Sequence, residues 1–229
     1  MTASQNHGFK FEDKIIEAFT GLKDQNALRD YLKEKGFNLS YTAKDDIPSG
    51  KYPKGSLAKP VSVKTSKKEG RPDFGIGLGD YLRNAEAVEK GEDKIIVVGA
   101  YNQKGGQKII DEVYEIDWSA EILRKKGFCV SIEKMRDFVK YVKSIPPGKQ
   151  AQKDNQDLWK SKRQELLENV NQICGIDAKI DGKSQRRVQS SVKSNDVKKH
   201  LGHKIFVKEF NGLSLPITIR SGPRKRNKK

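Results

Sequence analysis

Histidine and cysteine are nearly absent: the 229 residues hold three of the first and two of the second. Cys129 and Cys174 sit far apart, with no partner histidines at zinc-ligand spacing. That excludes a disulfide framework and a metal knuckle, and it fits a reducing compartment. Long apolar runs are also missing, so no segment reads as a membrane span, and no signal-peptide pattern opens the chain. The expected location is the cytoplasm. Negative charge is in short supply: 30 Asp and Glu face 46 Lys and Arg, a formal net charge of +16. An imbalance of this size says little about fold but much about partners, which should be polyphosphate backbones or an acidic membrane surface.

The excess is unevenly placed. Residues 183–229 carry 14 Lys and Arg against Asp196 and Glu209, a local net of +12, whereas the rest resembles an ordinary globular domain in its mixed signs. "GPRKRNKK" (Gly222 to Lys229) reads as a solvated flexible tail. "KSQRRVQSSVKSNDVKKHLGHK" differs, because Val188, Val192, Val197 and Leu201 are interleaved with the charges and can pack on something.

"GFKFEDKIIEAFTGL" sets Phe11, Ile15, Phe19 and Leu22 on one helical face, with Glu12 on its margin. "DQNALRDYLKEKGF" predicts a second helix stopped at Gly36. "FNLSYTAKDD" and "PVSVKT" read as strands, joined by a connection rich in Pro and Gly. "FGIGLGDYLRN" is ambiguous between a strand and a helix entry, with Asp80 a candidate N-cap. "KIIVVGAYN" is a core strand and "EVYEIDW" another. "EILRKKG", "IEKMRDFVKYVKSI" and "DLWKSKRQELLENVNQIC" read as helices, with a break at Pro146 and Pro147. The expectation is a mixed α/β (α+β) fold: a central mixed sheet of about four to five strands flanked by helices, then a basic helical or irregular region. A core over 1–145 and a basic region over 146–229 are the expected domains.

Metal-assisted cleavage of a phosphodiester needs two or three oxygen ligands for magnesium, and a lysine beside the attacking water helps. Residues i and i+2 of a strand share a face, so an acidic-x-Lys triplet presents ligand and lysine together. Two placements compete. Asp73, Glu92 and Lys94 match the letters PD…ExK, but Glu92 and Lys94 fall in what reads as a solvated turn. The other places Asp45 or Asp46 at the end of one strand and Ser62-x-Lys64 within the next. Its weakness is Ser62, which stands where a carboxylate is expected; Glu12 is positioned to assist. Three scattered histidines do not make a histidine- or zinc-dependent nuclease centre.

The order of "NHGFKFE", "YTAKDDIPSG", "KPVSVKTSKKEG", "IGLGDYLRN", "KIIVVGAYNQKGGQKII" and "QRRVQSSV" resembles type II restriction endonucleases of the PD-(D/E)xK superfamily. The likeness covers most of residues 6–115 and touches 185–192, with Tyr81 where such proteins usually carry Ala. It implies that Asp46 and Lys64 match the metal and lysine positions, with Ser62 in a variable ligand slot. Gln103 and Lys108 would then lie on a turn and helix after the central strand.

The expectation is a magnesium-dependent endonuclease acting on a specific site in double-stranded DNA by in-line attack of water. Asp46 would be the principal metal ligand and Glu12 an auxiliary one, with an oxygen from the Ser62 segment, such as the Val63 carbonyl. Lys64 would position the nucleophile or neutralise developing charge. Lys67, Lys68, Arg71, Gln103, Lys104 and Lys108 are candidate DNA contacts. Gln185, Arg186, Arg187 and Gln189 are of types that read purine edges, although phosphate contact is the commoner fate of a basic side chain. A palindromic target implies a homodimer. Two alternatives stay open: a non-catalytic nucleic-acid-binding protein, and a structure-specific repair nuclease.

Overall fold

The computed structural model describes residues 6–37, 46–146, 148–180 and 186–220. Gln185, Asp45, the flexible tail and all but the ends of the strand expected in "FNLSYTAKDD" lie outside them. In chain order the first elements are α1 (Asn6–Thr20), α2 (Gln25–Glu34), β1 (Gly50–Tyr52), β2 (Gly55–Leu57), β3 (Val61–Lys67) and β4 (Gly75–Asp80). There follow α3 (Tyr81–Glu89), β5 (Lys94–Lys104), β6 (Gln107–Trp118), α4 (Ala120–Lys126), α5 (Ile132–Ser144), α6 (Lys149–Asp154) and α7 (Gln156–Leu167). Then come β7 (Cys174–Ile180), β8 (Arg186–Lys193), α8 (Ser194–His200), β9 (His203–Phe206), β10 (Glu209–Phe210), β11 (Leu213–Ser214) and β12 (Ile217–Arg220). The fold is mixed α+β, as the pattern of elements predicts.

The chain forms two compact units, each discontinuous in sequence. One holds the described residues up to Phe74, Lys94–Asp117 and those from Gly202 on; the other holds Gly75–Asp93 and Trp118–Leu201. The boundary expected after residue 145 therefore falls inside the second unit. Strand pairing explains this, because β8 is hydrogen-bonded to both β4 and β7 and so ties residues 75–80 to residues 174–193.

In the first unit a five-stranded sheet runs in the order β12-β6-β5-β3, with β9 also paired to β6. β3 lies parallel to β5, from Val61 opposite Ile95 to Lys67 opposite Tyr101. The side chains of Val61, Val63 and Val97 turn toward α1, whose Phe11, Ile15 and Ile16 are fully buried with Leu28 and Leu32 of α2. Burying each side chain of this size contributes about 1.5–3 kcal/mol. The helix docks closely because β5 carries Gly99 beneath it: a Cβ there would lie 2.7 Å from Phe11 Cζ. Phe11 therefore sits over a position without a side chain, and that approach fixes where the next residue, Glu12, emerges.

β5 and β6 are joined by the two-residue Gly105–Gly106 turn, with Gly105 at φ +56. Gly-Gly suits this tight hairpin because its turns need positive φ. Gln103 and Lys104 consequently end β5 and Lys108 lies on β6, so no helix follows the central strand as the resemblance implied.

The second unit is built on the antiparallel sheet β4-β8-β7. Ile76, Leu78, Val188, Val192, Cys174, Ile176 and Ile180 fill its inner face, and Val197 and Leu201 of the basic segment are buried as their spacing suggested. Asp80 caps α3, its Oδ1 accepting from the Arg83 N–H at 2.9 Å. The helix expected through "DLWKSKRQELLENVNQIC" stops at Leu167, and Asn169 turns into the left-handed region at φ 59, which asparagine tolerates. β7 and β8 replace the helical or irregular structure expected there. In β8 the inward series Val188, Ser190, Val192 hides its period because the middle residue is polar, yet Ser190 is 1 % exposed. Asn84 of α3 makes that possible by donating to Ser190 Oγ at 3.1 Å and to the Leu78 carbonyl at 3.0 Å. No helix among the described residues is long and apolar enough to cross a membrane.

Candidate active site at the edge of β3

Among the described residues β3 is the end strand of its sheet, and its outer side is held by an antiparallel bridge from Ile47 to Val61. The Ile47 N–H donates to the Val61 carbonyl at 3.0 Å and the Val61 N–H donates back at 2.8 Å. This clamp brings the neighbouring residue, Asp46, against the middle of β3. Asp46 Oδ2 accepts from the Val63 N–H at 2.5 Å and, over a longer 3.4 Å, from Ser62 Oγ. It thus closes a backbone donor that an edge strand would otherwise leave open. Lys64 Nζ lies 3.8 Å from the same Asp46 oxygen and donates to the Val63 carbonyl at 3.1 Å. The side chains of Lys64 and Asp46 remain 33 % and 29 % exposed, so the pair is reachable from solvent.

Glu12 arrives from α1. Gln25 at the start of α2 donates from Nε2 to Glu12 Oε1 at 2.8 Å, while the Gln25 N–H donates to Asp13 Oδ1 at 3.1 Å. Burial first, then repulsion by Asp46 and Asp13, pushes the Glu12 carboxyl up to about 7, with Lys64 and Arg29 pulling the other way. Burial is the larger cause, and the charges of Asp46 and Lys64 reach the Glu12 carboxyl through space. Two carboxylates and a lysine converge, joined by the Ser62 hydroxyl and the Val63 carbonyl. These are hard oxygen donors of the kind that suit magnesium. The mutual repulsion of Glu12 and Asp46 is a strain that a divalent cation between them would relieve. By donor chemistry the set fits the ion, although among the described residues no three His, Cys, Asp or Glu form a group that could hold a metal.

Asp46, Ser62, Val63 and Lys64 are thus in contact, and Glu12 lies within electrostatic reach of Asp46 and Lys64. Ser62 is 4 % exposed, and its hydroxyl faces Asp46 rather than solvent. Sequence reading missed Gln25, Asp13 and Arg29. Asp24 carries a legible N-cap signal, accepting from the Asn26 and Ala27 N–H groups at 3.0 Å, and it places Gln25 first in α2. That α2 turns this residue onto Glu12 depends on helix packing, which leaves no local mark. Of the competing set, Asp73 lies just before β4, Glu92 lies in the turn closing α3, its N–H donating to the Ala87 carbonyl at 3.0 Å, and Lys94 opens β5.

The expected DNA contacts fall into two groups. Several are committed within the chain. Lys68 Nζ contacts Glu112 Oε1 at 2.5 Å and Asp111 at 3.4 Å, and these acids more than offset its burial to hold its pKa above the ordinary value. Lys67 pairs with Glu69, which also lies 3.8 Å from Arg71. Lys108 Nζ sits 4.3 Å from the centre of the Tyr101 ring. Arg186 donates to the Lys143 carbonyl at 2.8 Å and to that of Ile145, so it fastens the start of β8 to the end of α5. Gln103, Lys104 and Arg187 are open or partly open, and Gln189 is half-buried on β8.

No family model, no curated protein and no solved structure matches this chain.

Proposed function

We propose that the chain is a magnesium-dependent endonuclease of double-stranded DNA, of the restriction type, acting at the edge of β3. The observation that carries this reading is the convergence of Glu12, Asp46 and Lys64 around the Ser62–Val63 segment. Asp46 and Glu12 would hold the ion, with the Ser62 hydroxyl and Val63 carbonyl as further oxygens. When bound, magnesium supplies a Lewis acid for the phosphoryl oxygens. Lys64, fixed between the Val63 carbonyl and Asp46, offers a positive charge where the pentavalent phosphorane gathers negative charge. Burial holds a proton on the Glu12 carboxyl up to about 7 while no ion is bound, so an ion held there would displace that proton near neutrality. Gln25 holds that carboxylate in place. A palindromic site would be met by two copies of the chain.

The deciding experiment is incubation with plasmid DNA, with and without magnesium, for the native chain and Lys64→Ala. Discrete magnesium-dependent fragments that Lys64→Ala no longer yields are expected, with binding to DNA kept within a few-fold. Full cleavage by Lys64→Ala sinks the site. Loss of cleavage in Glu92→Ala or Lys94→Ala, with the fold intact, transfers it to the competing residues. Salt-sensitive retardation without any cleavage marks a binding protein instead.

A further inference from the structure

The outer face of β4-β8-β7 is made of side chains pointing away from the buried Ile76, Val188 and Ile176. On β8 these are Arg187, Gln189, Ser191 and Lys193; on β7 they are Gly175, Asp177 and Lys179. On β4 the outward positions are Gly75 and Gly77, both exposed. Strand register sets Lys179 directly opposite Arg187, and Ser191 between Gly77 and Gly175. Like charges directly opposite across an antiparallel pair destabilise a sheet. Lys179 and Arg187 are both exposed, and among the described residues neither has an ion-pair partner. The two acids nearby are otherwise engaged. Asp177 Oδ1 lies 3.7 Å from Arg163 Nη1 while its Oδ2 accepts from Ser191 Oγ at 3.0 Å, and Asp80 caps α3.

The cation rung therefore carries a repulsion that an anion from outside would remove. Farther along the same face, level with Ser191 and Lys193 of β8, the floor is bare backbone. Gly75 and Gly77 have ordinary φ, and a Cβ on either would meet nothing within 4 Å, so nothing among the described residues demands glycine there. Glycine in a strand interior marks a place where another backbone can approach closely. Three strands span roughly 10 Å.

We propose that this open face of β4-β8-β7 is a docking surface for the phosphate backbone of double-stranded DNA, with Lys179 and Arg187 gripping phosphates and Gly75 and Gly77 admitting the strand. The choice of DNA over other polyanions rests on the endonuclease reading. The cations themselves are read from the sheet alone. Arg186, one residue away but turned inward onto carbonyls, has no part in it.

The test uses the full chain carrying Lys64→Ala, so that DNA stays uncut, and measures binding to a fluorescent duplex by anisotropy over a salt series without magnesium. Lys179→Glu with Arg187→Glu is expected to weaken binding at least tenfold and to flatten the slope of log affinity against log salt by about 2. Lys125→Glu with Lys140→Glu, exposed on α4 and α5, removes the same total charge and serves as the control. Equal losses in the two pairs overturn the proposal, because affinity would then follow net charge alone. Gly77→Phe should leave the melting temperature no lower than that of the native chain and weaken binding; unchanged binding in both Gly77→Phe and the rung variant also overturns it. If the rung variant loses binding to phosphatidylserine vesicles but not to the duplex, the face serves a membrane and the proposal fails. Cleavage is read separately with Lys64 restored, so an inactive nuclease that still binds through this face defeats the earlier reading and not this one.

Discussion

β3 and β8 both alternate polar and apolar side chains, yet they use the pattern in opposite ways. In β3 the polar positions are drawn inside: Ser62 is buried against Asp46, and Lys64 is tied to Asp46 and to its own strand. In β8 the outward Arg187 is exposed without an ion-pair partner among the described residues, and the polar residue drawn in is Ser190, held by Asn84. The difference is one of position in the sheet. An edge strand leaves backbone donors that a nearby carboxylate can close, which gathers charge at one point. A central strand spends its backbone on two neighbours and can offer a ligand only its outward side chains. Concentrated charge suits chemistry, and spread charge suits docking.

That contrast can be broken at its strongest point first. Removing Lys64 by Lys64→Ala should lower single-turnover cleavage by on the order of 100- to 1000-fold, comparable to the loss of one preorganised charge at a transition state. A change of tenfold or less would mean the β3 edge is no more catalytic than the β8 face.

A glycine and an asparagine sharpen the comparison at the level of stability. Gly99→Ala pushes a Cβ into Phe11, and overpacking of this kind costs about 1–3 kcal/mol. It should also reduce cleavage, because α1 carries Glu12. Urea unfolding and a cleavage assay on the same variant read both effects. Of similar size, Asn84→Ala leaves the buried Ser190 hydroxyl without its donor from α3, at a cost of about 1–3 kcal/mol. Unfolding midpoints within experimental error of the native chain would show that Ser190 is held in some other way.

The Glu12 carboxyl gives a pH signature for the first unit. In the folded chain it keeps its proton up to about 7, against 4.5 ordinarily. Between those values the folded state binds more protons than the unfolded state, so this group makes stability fall as pH rises from about 4.5 to about 7. Urea titrations in EDTA at both ends of that window should show the decline in the native chain and its loss in Glu12→Gln. Parallel curves would mean that burial and the neighbouring acids do not raise the Glu12 carboxyl. The smallest effect belongs to Gly77→Ala: with open space above it and ordinary φ, alanine should stabilise β4 by about 0.5–1 kcal/mol. A loss instead would show that the face is not open.

Local periodicity alone determined a good deal here. It marked α1, α2, β3, β5, β6 and α5, the Asp80 cap, and the burial of Val188, Val192, Val197 and Leu201, because apolar residues at helical or strand spacing must find a core. It also favoured Lys64 over Lys94, since a lysine within a β-branched strand is a stronger sign than one in a charged turn. The tertiary structure decided the rest. It set Asp46 against Val63 through the Ile47 bridge, and turned Gln25 onto Glu12 by packing α2 on α1. It also drew residues 174–193 into a sheet with residues 75–80. Each of these joins groups distant in sequence, and pairing of that kind is settled by which surfaces bury best together, not by any residue's own preference. β8 shows the reason most plainly. A buried serine breaks the apolar alternation that would have announced the strand, and the asparagine reaching in from α3, with the Gly79 carbonyl that accepts from the serine at 3.3 Å, makes it tolerable inside.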